Sequence, residues 1–409
     1  MIIVILSDVV LRMKKKILFV MTTLKTGGIA TSLVTLLQEL DRLHTFEIDL
    51  FLFNSQGDLI RTLPSSIHVI SGNWLADLIG ITQREAWNHS LFEGLTRLAL
   101  GGTTKYLGDT VPYRIIFSAN KLKNQYDVAV SCTQSAPHHN FYGGCNEFVL
   151  QNVKAAKKIA FIHCDYVRYG LNTAYSKKIY GRFDSIATVS DSCRNVILGA
   201  VPELEPKVSV VRNCNNYERI RKLSMEDSVI YPSAAAVHMV TLARLSKEKG
   251  HFRTLPVLQK LKKDGYSFCW HVLGAGMPED EQKFAESVRK CGLQDVVMTY
   301  GNQVNPYRFL THATVLFVPS FHEAAPMVFD EAKYLGVPIL TTDTTSAREL
   351  VADCGYGTVC ENSEDGIYRC LKDFFSDPGL LQKKVKAKRD MDHFDNKEAV
   401  EQFLALLQN

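Results

Sequence analysis

The chain has 409 residues, 46% hydrophobic and 22% charged, with a net charge of +4. That length suits two or three domains with ample core, and the composition excludes a disordered or fibrous chain. The small net charge gives no footprint for nucleic acid.

The charge is uneven. Residues 1–210 carry 22 Lys+Arg against 17 Asp+Glu, and the remainder carries 25 against 26. A basic first half favours an anionic membrane or a phosphorylated acceptor, ordinary surface variation being the plain alternative. Ten scattered cysteines form no Cys-x-x-Cys and no zinc-like spacing, which fits a reducing compartment. No apolar run approaches the ~20 residues of a membrane span. Residues 1–11 are apolar, but Asp8 interrupts them and the charges at Arg12, Lys14, Lys15 and Lys16 follow rather than precede. A secretory signal has the opposite order, so translation is expected to start at Met13.

Residues 17–21 read as the first strand, meeting a loop that holds Gly27 and Gly28. Ile29, Leu33, Leu36, Leu37 and Leu40 then mark one face of a helix. Strands are expected at 46–53, 67–70, 127–131, 158–162, 185–189 and 208–211. The stretch 73–123 gives no clean period. The polar segment 215–232 reads as a linker. Beyond it, strands at 237–243, 267–273, 296–300, 314–318, 337–341 and 357–359 alternate with helical patterns, and a short helix follows Glu398. Such alternation predicts α/β architecture with parallel sheets covered on both faces. Two doubly wound domains are expected, at 13–218 and 219–389, facing each other across a cleft. The helix within 390–409 is expected to pack back on the first.

Chemistry is expected at strand ends. Glu323 lies on the loop after the 314–318 strand, and Glu331 on the following helix. Open α/β sheets bind ligands at such ends, and two fixed carboxylates suit a ligand rich in hydroxyls. Arg244 and Lys249 follow the 237–243 strand and precede a helix, a setting that suits a diphosphate. A solvated basic turn is the plain alternative. Gly274 and Gly276 end another strand. They begin a dinucleotide fingerprint, but Glu279 holds its third glycine position, so as a nicotinamide signal it is weak; the glycines more simply let backbone approach a base or a phosphate of the donor. His163 ends the 158–162 strand and is favoured among twelve histidines. His138 and His139 lack a third metal ligand. Asp390-Met391-Asp392 has an Asp-x-Asp pattern but follows no strand, and reads as surface charge.

In order and spacing these segments resemble the retaining glycosyltransferases of family 4, which have the GT-B fold. The resemblance spans roughly residues 14–377. It rests on Gly27-Gly28, His163, Val189-Ser190, Val211-Arg212-Asn213, Arg244-Leu245 with Lys249-Gly250, and Gly274-Ala275-Gly276. Pro319-Ser320, Glu323, Glu331 and Gly336-Val337-Pro338 complete it. Ala324-Ala325-Pro326 departs from the family's Gly-Phe-Gly. Pro326 has no amide to donate, so donor contacts pass to Met327 and Val328.

The resemblance implies transfer of a sugar from a nucleotide donor, UDP-linked by expectation, to a hydroxyl with configuration retained. Arg244 and Lys249 would meet the diphosphate without a metal or other cofactor. Glu331 would take the ribose and Glu323 the sugar. His163 would orient the sugar or polarise the acceptor, and Gly27 and Gly28 would let backbone close on the donor. A lipid-linked glycan acceptor is implied, at the cytoplasmic face of a bacterial membrane, in capsule, O-antigen or other surface polysaccharide synthesis. The first half would make peripheral membrane contact. Alternatives are a sugar-nucleotide 2-epimerase, a phosphorylase, or a non-catalytic sugar-nucleotide-binding partner subunit.

Overall fold

The computed structural model describes residues 14–108, 110–137, 140–226, 229, 231, 235 and 237–408. The expected start at Met13 and the His138-His139 pair lie outside the described residues.

Two parallel sheets organise the chain. The first has seven strands: β1 (Lys15–Thr23), β2 (Phe46–Asn54), β3 (His68–Ser71), β4 (Gln125–Ser131), β5 (Lys154–Ile162), β6 (Ser185–Thr188) and β7 (Val208–Val210). They lie in the order β3-β2-β1-β4-β5-β6-β7. The second has six: β8 (Val237–Leu242), β9 (Phe268–Leu273), β10 (Val297–Thr299), β11 (Val315–Val318), β12 (Ile339–Thr342) and β13 (Gly357–Cys360), ordered β10-β9-β8-β11-β12-β13. Every expected strand forms, with ends moved by at most four residues.

The helices in chain order are α1 (Gly28–Arg42), α2 (Trp74–Gly80), α3 (Gln83–His89), α4 (Leu91–Leu107), α5 (Thr110–Ser118), α6 (Cys145–Asn152), α7 (Ala174–Tyr180) and α8 (Asp191–Ala200). They continue with α9 (Tyr217–Ser224), α10 (His251–Lys263), α11 (Pro278–Lys290), α12 (Tyr307–Leu310), α13 (Met327–Leu335), α14 (Glu364–Ser376), α15 (Pro378–Met391) and α16 (Lys397–Gln408).

The chain forms two compact units. One runs to Thr188 and takes in Ile197–Cys214 and Glu398–Asn409; the other holds Val189–Val196 and Asn215–Lys397. In the first, β1 is apolar on both faces, and Ile17 through Val20 are fully buried, as a central parallel strand requires. Leu33, Leu36, Leu37 and Leu40 of α1 pack over it, joined by Phe403, Leu406 and Leu407 of α16. Phe19 stacks on Phe403 with ring centroids 5.7 Å apart. In the second unit Met239, Trp270 and Phe317 build the core on one face of the sheet. Val240, Leu316 and Ile339 build it on the other.

Two segments differ from the sequence reading. Within the expected linker, α9 forms because the Asn216 side chain caps the Arg219 amide at 2.9 Å and Ile220 is buried. The unplaced stretch 73–123 forms α2 to α5.

Candidate active site

In each sheet the chain leaves a central pair of strands in opposite directions. Such a topological switch opens a crevice at the carboxyl ends of the strands. In the second unit the switch lies between β8 and β11. Lys249 ends the turn after β8, and Glu323 sits on the loop after β11. Their side chains meet: Lys249 Nζ donates to Glu323 Oε1 at 2.7 Å, with the lysine 21% and the glutamate 10% exposed. Ser320 Oγ donates to the same oxygen at 2.7 Å.

Backbone fit holds this pair. Gly250 has φ 75°, and a Cβ there would fall 1.9 Å from the Pro319 carbonyl oxygen. Only glycine lets the two loops approach so closely. The Phe321 amide donates to the Glu248 carbonyl at 2.8 Å. Arg253, buried on α10, donates to the carbonyls of Pro319 and Ser320 at 2.7 and 2.9 Å, and its guanidinium lies 3.7 Å from the Phe321 ring centroid. Sequence reading missed Arg253, because its partners are backbone carbonyls some 66 residues away.

Arg244 stands exposed on the same edge, its nearest acid being Glu248 at 3.5 Å. Its loop is laced to the one after β9. The Leu245 amide donates to the Ala275 carbonyl, and the Ala243 amide to Leu273, both at 3.0 Å. A Cβ at Gly274 would fall 2.1 Å from the Ala243 carbonyl oxygen, and one at Gly276 2.5 Å from that of Leu245. The chain's own backbone therefore accounts for both glycines.

Glu331 lies on α13 and accepts a hydrogen bond from the Tyr307 hydroxyl at 3.2 Å. Burial pushes its pKa up to about 7; Asp330 adds to this, while Tyr307 and Arg219 oppose it. Tyr307 was not singled out, since it stands 24 residues away in a separate helix. Met327 and Val328 open α13 after Pro326. First-turn amides have no acceptor within their own helix, and the helix dipole adds positive potential there.

In the first unit the switch lies between β1 and β4. Gly27 caps α1 with an extended φ of 173°, and Gly28 begins the helix. A Cβ at Gly27 would meet nothing nearer than 4.0 Å, so its own fold does not demand glycine there. His163 follows β5, stacks on Phe161, and pairs through Nε2 with the Cys132 carbonyl at 3.1 Å. Burial drives its pKa down to about 4, so the imidazole is neutral at physiological pH. With Nε2 donating, Nδ1 is left as an acceptor. His163 lines a pocket with Ile29, Ser32, Leu33, Phe161 and Arg212.

Asp392 is engaged by the Tyr356 hydroxyl and by Lys388, and Asp390 by Arg389. Strand register gathers one group the sequence did not suggest. His238, Cys269 and His271 bring their ligand atoms within 4.8 Å of one another. His238 Nδ1 and His271 Nε2 already hydrogen-bond at 3.0 Å, and His271 Nδ1 meets the Tyr300 hydroxyl at 2.9 Å. The two imidazoles thus satisfy one another internally.

Residues 236–391, from β8 through α15, match the family model described as glycosyl transferases group 1. An enzyme of Campylobacter jejuni is 26% identical over 192 residues, covering 46% of this chain and 50% of that protein. Its name is N-acetylgalactosamine-N,N'-diacetylbacillosaminyl-diphospho-undecaprenol 4-alpha-N-acetylgalactosaminyltransferase. WcaL of Escherichia coli, named as a colanic acid biosynthesis glycosyltransferase, is 28% identical over 42% of this chain and 45% of its own. The chain thus spans about half the length of the curated relatives it matches. Anabaena HepE, solved in complex with UDP, superposes with a TM-score of 0.65 at 15% identity, covering 96% of this chain and 99% of its own. The fold is the α/β GT-B fold, with one parallel sheet in each unit.

Proposed function

We propose that this chain is a retaining glycosyltransferase that moves a sugar from a nucleotide-sugar donor, a UDP-sugar by preference, to a hydroxyl of a lipid-linked glycan in surface polysaccharide synthesis. The observation that carries this reading is the Lys249–Glu323 contact at the β8/β11 switch, within the segment that matches the group 1 glycosyl transferases. One relative named for a diphospho-undecaprenol-linked sugar, another named for colanic acid biosynthesis, and a fold shared with a protein solved with UDP support it.

Negative charge grows on the β-phosphate as the glycosidic bond opens. Lys249 and Arg244 supply fixed cations for it, and the Met327 and Val328 amides supply donors. These groups favour the transition state over the ground state without calling on a divalent cation. Glu323 holds the sugar hydroxyls while it orients Lys249. Glu331, as a carboxylate, accepts from the ribose hydroxyls. The acceptor hydroxyl attacks on the face that the phosphate leaves, and the phosphate takes its proton. Acceptor binding is assigned to the first unit, where neutral His163 offers Nδ1 to a hydroxyl and Gly27 and Gly28 admit a ligand close to backbone.

The test is NMR of slow donor hydrolysis with UDP-glucose, UDP-galactose and UDP-N-acetylglucosamine, and with their GDP and ADP counterparts. Retention requires the α-anomer to form first from an α-linked donor. First formation of the β-anomer would refute retention, and release of no nucleotide from any donor would refute transfer.

A further inference from the structure

On one face of the second sheet, three side chains able to ligate a metal stand among hydrocarbon. His238 is the second residue of β8 and Cys269 the second of β9, and the strand register sets them side by side. His271, two residues on, leaves β9 on the same face as Cys269. Cys269 and His271 are fully buried and His238 partly so. Their neighbours on that face, Val240, Leu273, Leu316 and Ile339, are apolar. Burying two imidazoles there costs free energy that apolar side chains would not.

The three ligand atoms lie within 4.8 Å of one another, and His238 Nδ1 is 3.0 Å from His271 Nε2. Around a tetrahedral zinc ion two imidazole nitrogens stand about 3.3 Å apart, and a thiolate sulfur about 3.6 Å from each. The imidazole pair need open by only a few tenths of an ångström, and the sulfur draw in by about 1 Å at most. The Tyr300 hydroxyl meets His271 Nδ1 at 2.9 Å. Such a partner fixes ring orientation behind a metal-bound histidine. Tyr231 stacks on both imidazoles, its ring centroid 4.4 Å from that of His238 and 4.1 Å from that of His271. His238, the partly exposed ligand, gives an ion its way in.

We propose that His238, Cys269 and His271 bind a zinc ion, in a structural site separate from the donor site. One thiolate with two imidazoles suits zinc and disfavours magnesium or calcium, which take oxygen ligands. In the metal-free chain the two imidazoles share a hydrogen bond; the ion takes the place of its proton. That proton passes from His238 Nδ1 to Nε2, and the Cys269 thiol gives its own to solvent. One proton therefore leaves for each ion bound. Lys249 and Glu323 follow the carboxyl ends of β8 and β11, whereas His238 lies about 13 Å before the end of β8. The ion would tie β8 to β9 without touching the diphosphate. This inference stands independently of sugar transfer.

The test titrates the full chain with Zn2+ alone, against a chromophoric chelator, and uses Co2+ as a spectroscopic stand-in. Wild type is expected to bind one Zn2+ with release of about one proton, and to melt at a higher temperature with the ion. Co2+ should give a thiolate-to-cobalt charge-transfer band and the visible bands of a tetrahedral site. Cys269→Ser should lose the charge-transfer band and bind zinc at least about tenfold more weakly. His238→Gln, at a partly exposed position, should weaken binding comparably but keep that band. Tyr300→Phe keeps all three ligands and should cost about tenfold. Metal-free variants should melt within a few degrees of wild type, which separates ligand loss from misfolding. UDP-glucose affinity should be equal with and without zinc. No saturable zinc binding by wild type would overturn the proposal, as would undiminished binding in both Cys269→Ser and His238→Gln. A charge-transfer band that survives in Cys269→Ser would place the ion on another thiol and overturn it too.

Discussion

Glu331 offers a quantitative handle on the donor site. Its pKa is pushed up to about 7 by burial, so it is about 9% ionised at pH 6 and about 91% at pH 8. If the ribose hydroxyls bind the carboxylate form, affinity rises about tenfold between those pH values. Binding at pH 6 must then release close to one proton, and at pH 8 almost none. Calorimetry with UDP-glucose in two buffers of different ionisation enthalpy reads this directly. The sugar-linked diphosphate does not itself titrate in this range. E331Q keeps a partner for Tyr307 but cannot titrate, so its affinity should be low and flat with pH. Linkage gives a second, independent signature. A carboxyl whose folded pKa is raised stabilises the fold most below its unfolded pKa of about 4.5, and that stability is lost as pH rises through about 7. The loss reaches at most about 3 kcal/mol by pH 8. Ligand-free E331Q should therefore gain stability relative to wild type as pH rises from 5 to 8. A pH-independent affinity with no proton release would refute the assignment of Glu331 to the ribose.

Three further predictions test the rest of the site. Lys249→Ala and Glu323→Ala should each lower kcat by about a hundredfold or more while circular dichroism stays native, because each removes a preorganised charge at the reacting phosphate or sugar. Turnover within a factor of a few of wild type would remove that residue from the mechanism. Gly250→Ala puts a Cβ against the Pro319 carbonyl at φ 75°, and should lower the melting temperature by several degrees and weaken donor binding. His163 is neutral above about pH 5, so its replacement by Gln should lower kcat without removing any inflection in the pH–rate profile from about pH 5.5 to 8.

The strands were legible because buried parallel strands leave short, continuous apolar runs, as at Ile17 to Val20 and Val315 to Val318. Glu323, Lys249 and Arg244 were legible as strand-end residues, which topology gathers on one sheet edge. Their supports were not. Arg253 clamps distant carbonyls, and Tyr307 reaches Glu331 from another helix, so neither has a local pattern. Gly274 and Gly276 were legible as strand-end glycines, but the Ala243 and Leu245 carbonyls of the neighbouring loop, which fill their Cβ space, were not. In α4 Leu91, Leu95 and Leu98 are exposed while Gly94 and Thr104 are buried, so its apolar positions do not mark the face that packs on the core. His238, Cys269 and His271 meet only through the β8–β9 register.

The most direct measurement is the thermal shift of wild type and of the Lys249→Ala variant with UDP-, GDP- and ADP-sugars. One nucleotide class should raise the wild-type melting temperature, and the shift should shrink sharply in the variant, since the ammonium beside Glu323 is assigned to the diphosphate. No shift with any of them, or an equal shift in both proteins, would contradict donor binding at the β8/β11 edge.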